Sequence, residues 1–109
     1  MFGMKNMGDM MKLFGQRDKI AANMEQAKQA ARTRTVVGES GAGMVKVTAN
    51  GMGEVVKIDF DAEALKDGAM LGTLTVAATN IAVAKSREIM AEEVSKAMGG
   101  IEIPPGLFT

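Results

Sequence analysis

The stretch that decides the fold is Gly38-Glu39-Ser40-Gly41-Ala42-Gly43-Met44-Val45-Lys46-Val47-Thr48-Ala49-Asn50-Gly51-Met52-Gly53-Glu54-Val55-Val56-Lys57-Ile58-Asp59-Phe60. Val45, Val47 and Ala49 alternate with Lys46 and Thr48, the two-residue period of a half-buried strand. Val56, Ile58 and Phe60 alternate in the same way with Lys57 and Asp59. Between them, Asn50-Gly51-Met52-Gly53 reads as a hairpin turn, because Asn and Gly tolerate positive φ. Upstream, Thr35-Val36-Val37 is a β-branched run, and the segment from Gly38 to Gly43 reads as a turn cluster. Residues 34–60 are therefore predicted to form a three-stranded antiparallel meander.

Outward from the meander, both flanks change to helical spacing. Residues 4–33 contain no proline, and Met10, Leu13, Arg17, Ile20, Met24, Ala27 and Ala31 follow a 3-4 repeat. Arg17 interrupts that seam, which favours antiparallel packing on another helix over a zipper. Downstream, residues 61–68 are a connection with a helical turn at 62–65, and Asp61 is the expected N-cap. Residues 69–98 form the second helix. Leu71, Leu74, Ala78, Ile81 and Ala82 share one face, and Val76, Val83, Met90 and Val94 widen it. Gly99-Gly100 suits a helix C-cap. The result is a single α+β domain over residues 1–109 with the order α-β-β-β-α. Residues 1–9 are expected to be disordered, and residues 101–109 to form an extended tail around Pro104-Pro105. Two helices cannot cover both faces and both edges of a small sheet, so self-association is expected.

Composition narrows the chemistry. The 109 residues include no cysteine and no histidine. That removes disulfides, thiolate ligands, the commonest general base and the commonest metal ligand. No apolar run reaches the ~18 residues of a membrane span, and the first residues lack the pattern of a secretory signal, so a cytoplasmic location is expected. Net charge is zero, but its distribution is uneven. Residues 1–35 hold seven cations against three carboxylates, residues 36–70 three against six, and residues 71–109 three against four. The positive charge sits at the front.

Four motifs have plainer readings. Gly38-x-x-Gly41-x-Gly43 lacks the Gly-Lys-Ser/Thr ending of a phosphate loop and opens a strand, so a turn explains it better. Ser40 in Gly-Glu-Ser-Gly-Ala lies near the nucleophile-elbow pattern, without its last glycine and without a histidine to activate the hydroxyl. Asp59, Asp61 and Glu63 supply oxygen ligands in alternation but match no calcium loop; a strand end running into a cap accounts for them. The eleven methionines at helical spacing fit adaptable packing. These readings predict no catalytic residue, no cofactor, no metal and no small-molecule substrate.

Lys28, Arg32 and Arg34 stand at the end of the first helix with no acid between them. Two readings stand side by side: cations favoured at that end by the helix dipole, or a phosphate-contacting patch made by the same three side chains. Lys85 and Arg87 on the second helix are weaker candidates, since Glu88, Glu92 and Glu93 follow at pairing distance along the helix. The aromatics are limited to Phe2, Phe14, Phe60 and Phe108, which disfavours recognition of single strands by base stacking.

The residues quoted resemble the YbaB/EbfC family. The Gly38–Thr48 stretch is similar to its GESGAG-hydrophobic-VKVT signature, and Asn50-Gly51 stands where the family has a hairpin. Ala77-Ala78-Thr79-Asn80-Ile81-Ala82 resembles its AA-x-N-x-A pattern, Gly99-Gly100 to Pro104-Pro105-Gly106 its ending, and Met1-Phe2-Gly3 its opening. Ile81 stands where members often carry a polar residue, and Ala62 where a proline is common. The resemblance implies a tweezer-like homodimer with projecting helices, binding to double-stranded DNA, association with the nucleoid, no catalysis and no cofactor. The zero net charge and apolar helix faces also fit a protein-interaction adaptor with incidental DNA binding, and salt-dependent DNA binding separates the two.

Overall fold

The computed structural model describes the backbone of residues 7–99 and the side chains of residues 16–99. Helix α1 spans Met7–Arg32, strand β1 Thr35–Ser40, β2 Val45–Asn50 and β3 Val55–Phe60; a 3-10 turn at Ala64–Lys66 leads into helix α2, Gly68–Ala97. The sheet is antiparallel in the order β1-β2-β3. The predicted α-β-β-β-α order holds. The helix already runs at Met7, inside the stretch 1–9 expected to be disordered; residues 1–6 and the expected tail 101–109 lie outside the described residues.

The turn chemistry differs from the expectation at two places. The Gly38–Gly43 segment is not all turn: β1 continues through Ser40, and the reversal is made by Gly41, Ala42 and Gly43, all with positive φ. In the second hairpin the positive φ falls on Gly53 and not on Asn50 or Gly51. The buried Asn50 side chain holds that turn, its Oδ1 accepting from the backbone N–H groups of Met52 (2.9 Å) and Glu54 (3.2 Å). Gly51 is needed for space. A Cβ there would meet the carbonyl oxygen of Ala31 at 2.7 Å and the Cγ2 of Ile89 at 2.6 Å. Its N–H donates to the Ala31 carbonyl at 2.9 Å, which ties the hairpin to the end of α1.

The short turn before α2 runs over Ala64–Lys66 and not 62–65, so Asp61 does not cap it, and Asp61 N–H instead donates to Met44 O as an extension of β3; α2 itself is capped by Asp67, whose Oδ1 accepts from Met70 N–H at 3.1 Å. Gly99, with φ +59°, ends the helix as expected. The core lies between α2 and the inward face of β2. Val45, Val47 and Ala49 are fully buried against Ala78 and Ala82, with Leu71, Leu74 and Met44 at the margin. Gly38 lets the helix approach: a Cβ would collide with the backbone of Ala78 and Ala82. Ser40 Oγ donates to Leu74 O along the same seam.

Helix α2 packs on β1 and β2, and α1 packs on the distal half of α2 through Ala27, Val94 and Met98, with Met24 and Met90 beside them. β3 lies beyond the flank of α2. Its expected half-buried alternation is therefore absent: all six residues are exposed in the single chain, Val56, Ile58 and Phe60 among them. Ile81, assigned to the inner face, is also exposed, because the buried stripe runs instead through Ala78, Ala82, Ser86, Ile89 and Glu93. The molecule measures 70 × 26 × 19 Å with a radius of gyration of 20.1 Å, against ~13 Å for a compact chain of this length. The paired helices form an arm extending from the sheet.

Gly38→Ala is expected to cost about 3 kcal/mol in denaturant unfolding, the upper end of overpacking penalties, because the obstacle is backbone that cannot rotate away. Gly43→Ala puts its Cβ no closer than 3.7 Å to any neighbour, so its cost, from the positive φ alone, is expected to be smaller, about 1 kcal/mol.

Candidate nucleic-acid interface

The five cations singled out from the sequence fall into different environments. Lys28 and Arg32 are one turn apart on α1 and exposed to solvent. Lys28 has no ion pair among the described residues, and Arg32 has one loose contact, Nε to Glu54 Oε1 at 3.8 Å across an exposed surface. Such a contact adds little and leaves the guanidinium available.

Arg34 is held by the protein itself. Its Nη1 reaches Glu93 Oε2 at 2.7 Å and its Nη2 reaches Glu92 Oε2 at 2.9 Å. The local reading of three cations without an acid missed this, because Glu93 is 59 residues away in sequence and Glu92 stands beside it. The Glu93 side chain is only 10% exposed, and Lys96 Nζ approaches it at 3.5 Å. The hydrogen bond from Arg34 holds the Glu93 carboxyl below the usual carboxylate range, partly opposed by desolvation, with Lys96 adding to the lowering. The same hydrogen bond, with that of Glu92, raises the Arg34 guanidinium. This clamp fastens the junction of α1 and β1 to the distal half of α2.

Lys85 and Arg87 were expected to pair with the glutamates that follow them, and among the described residues neither does. Lys85 Nζ donates to Val37 O of β1 at 2.9 Å, across the open edge of the sheet. Arg87 is exposed with no ion pair among the described residues. Sequence reasoning left out Arg17 and Lys19, both exposed on the arm. The signal for Arg17 was its break in the apolar seam. At about 100° per residue, Arg17, Lys28 and Arg32 fall within roughly 60° of arc on α1, so they form one strip along it.

Among the described residues no cluster of three or more Asp or Glu side chains could hold a metal, and no helix is long and apolar enough to cross a membrane. The concave surfaces are open grooves. One, of about 510 Å³, runs between β3 and α2 and is lined by Phe60, Leu71, Thr75, Val76 and Thr79, without a charged group.

A small sheet thus carries a long helical arm with an exposed strip of cations, Arg17, Lys28 and Arg32. The chain belongs to the YbaB/EbfC DNA-binding family, whose model matches residues 4–101. It is 41% identical over 98 residues to a nucleoid-associated protein of Chlorobium phaeobacteroides, covering 90% of this chain and 86% of that one. A nucleoid-associated protein of Anaeromyxobacter dehalogenans is 43% identical over 98 residues, covering 88% and 95%. The crystal structure of an uncharacterized protein from Helicobacter pylori shares the fold at a TM-score of 0.70 and 25% identity, covering 80% of this chain and 94% of that one. The family is a DNA-binding one and not an enzyme family.

A carboxyl whose pKa is lowered on folding adds stability above its unfolded-state pKa and loses it as pH falls through the folded value. Arg34→Gln is expected to lower the melting temperature at pH 7, and the gap to the wild type should narrow below about pH 4 as Glu93 protonates. Thermal unfolding at several pH values measures this. A constant gap would mean that the Arg34–Glu93 pair is not its source.

Proposed function

We propose that this protein binds double-stranded DNA as a homodimer in the cytoplasm, at the nucleoid, with little sequence preference and with effects on nucleoid organisation. The observation that carries the reading is the strip of Arg17, Lys28 and Arg32, exposed along one side of a projecting arm. Arginine and lysine on such a strip meet phosphate oxygens, which fix position on a duplex but carry little base information. Arg87 is a further contact on α2. Arg34 and Lys85, with their short bonds inside the protein, act as positioning groups that hold the arm and the sheet edge. A net charge of zero suits a modest binder, because only the strip and not the whole surface attracts DNA.

The second copy is supported by the apolar surface of β3 and the near flank of α2. Val76 is 62% exposed, Val56 55%, Phe60 43% and Ile81 41%. Val76 and Phe60 line the groove between β3 and α2, and burial against a second chain removes all four side chains from water. Dimerisation duplicates the arm, and two arms straddle a duplex.

Counting the three strip cations of each subunit alone, with one phosphate apiece, a dimer neutralises about six, and they give log affinity against log salt a slope of roughly −5. Lys28→Gln with Arg32→Gln removes four of them, so the slope should flatten to roughly −2. Binding to unrelated duplexes should weaken alike while the dimer persists. An unchanged slope in gel-shift titrations at several salt concentrations would move the DNA surface elsewhere and favour the adaptor reading. Separately, Val76→Glu with Ile81→Glu should leave the chain folded, since both side chains are exposed within it, and should halve the mass found by sedimentation equilibrium. A dimer of full strength in that variant would place the interface on another face.

A further inference from the structure

Where α2 ends, α1 does not. The last turn of α2, at Ala97, Met98 and Gly99, lies against Gln16, Lys19, Ile20 and Asn23 of α1 around a groove of about 620 Å³. Toward its N-terminus, α1 continues to Met7, about 15 Å further at 1.5 Å per residue. The apolar seam of α1 continues with it in the sequence, through Ile20, Leu13 and Met10. Met24 is the last seam residue packed under α2, on Val94 and Met98. Ile20, one turn further out, is already 44% exposed.

We propose that this groove, with the exposed Ile20 on its floor, is the docking site of this chain's own residues 100–109, Gly-Ile-Glu-Ile-Pro-Pro-Gly-Leu-Phe-Thr. Three features select this occupant. The segment begins at the groove: Gly99 lines it, and its positive φ of 59° turns the chain out of the helix there. Its length fits, since ten extended residues reach about 33 Å, more than the ~10 Å of α1 from Asn23 to Gln16 that lines the groove. Its chemistry fits as well. Ile101, Ile103, Leu107 and Phe108 supply apolar side chains for the seam, Pro104-Pro105 restricts the backbone to extended forms that cost little entropy to dock, and Glu102 provides a carboxylate for Lys19 in the groove. The segment takes the place of the missing turns of α2 and stiffens the arm. This does not depend on DNA binding.

Amide hydrogen exchange read residue by residue tests the proposal. In the full chain, amides of residues 16–23 should exchange at least about tenfold more slowly than in a chain ended at Gly99, with the amides of β2 unchanged in both. Ile103→Asp with Phe108→Asp in the full-length chain should reproduce the loss of protection, which separates apolar docking from mere presence of the segment. Mixing isotope-labelled chain ended at Gly99 with an excess of unlabelled full chain should restore no protection. Equal exchange in the full and shortened chains would overturn the proposal, as would protection surviving the double substitution. Protection restored in the mixture would overturn it in favour of a second copy's segment as the occupant.

Discussion

The structure depends on the close approach of α2 to β1 and β2. With Gly38 on the strand and Ala78 and Ala82 on the helix, backbone meets backbone without an intervening side chain. That proximity buries Val45, Val47 and Ala49 in a core made mostly of small residues. A small-residue core gives little hydrophobic stabilisation per residue, at ~25 cal/mol per Å² of apolar surface. The fold therefore relies on exact fit at this seam and leaves its larger apolar side chains, Phe60, Ile58 and Val76, on the outside. Those exposed groups are the physical reason a second chain improves the account.

The second constraint is the fastening of the arm. α1 meets the rest of the chain through Ala27 and Ala31, through the Gly51 N–H on the Ala31 carbonyl, and through Arg34 on Glu92 and Glu93. A buried glutamate with two cationic partners, Arg34 and Lys96, is costly to separate from them, because either side left alone faces an uncompensated charge. The arm's direction is set at its root by this clamp. The strip cations, Arg32 at the root and Lys28 and Arg17 further out along α1, then keep a defined spacing instead of waving independently. In this reading, the basic residues divide by pairing: Arg34 and Lys85, bonded inside the protein, hold it together, and those along the exposed strip meet its partner.

Much of this was legible in the sequence. The two-residue period at Val45, Val47 and Ala49 and the 3-4 period of both helices identified every element, with the ends of α1 and α2 within a few residues. The glycine-rich signature was read as turn chemistry, which holds for Gly41 and Gly43 but not for Gly38. Gly38 is needed because of a helix 40 positions later in the chain, and nothing local reports that. Arg34 illustrates the same limit: beside Arg32 it looks like part of a cationic patch, and only the packing of α2 brings Glu92 and Glu93 to it. Ile81 and β3 went astray for a different reason. Periodicity marks a side chain as apolar and aligned; whether the covering surface belongs to the same chain is a matter of topology.

The central claim is that duplex DNA meets the outer strip of α1. Titrating short duplexes of unrelated sequence into isotope-labelled protein at low salt, and following backbone and Arg side-chain resonances, addresses it most directly. The account predicts shifts concentrated at Arg17, Lys28 and Arg32 with every duplex, diminishing together as salt is raised, while Phe60, Val76 and the β2 core stay in place. Shifts concentrated at the β3–α2 groove, or none at saturating duplex, would contradict it.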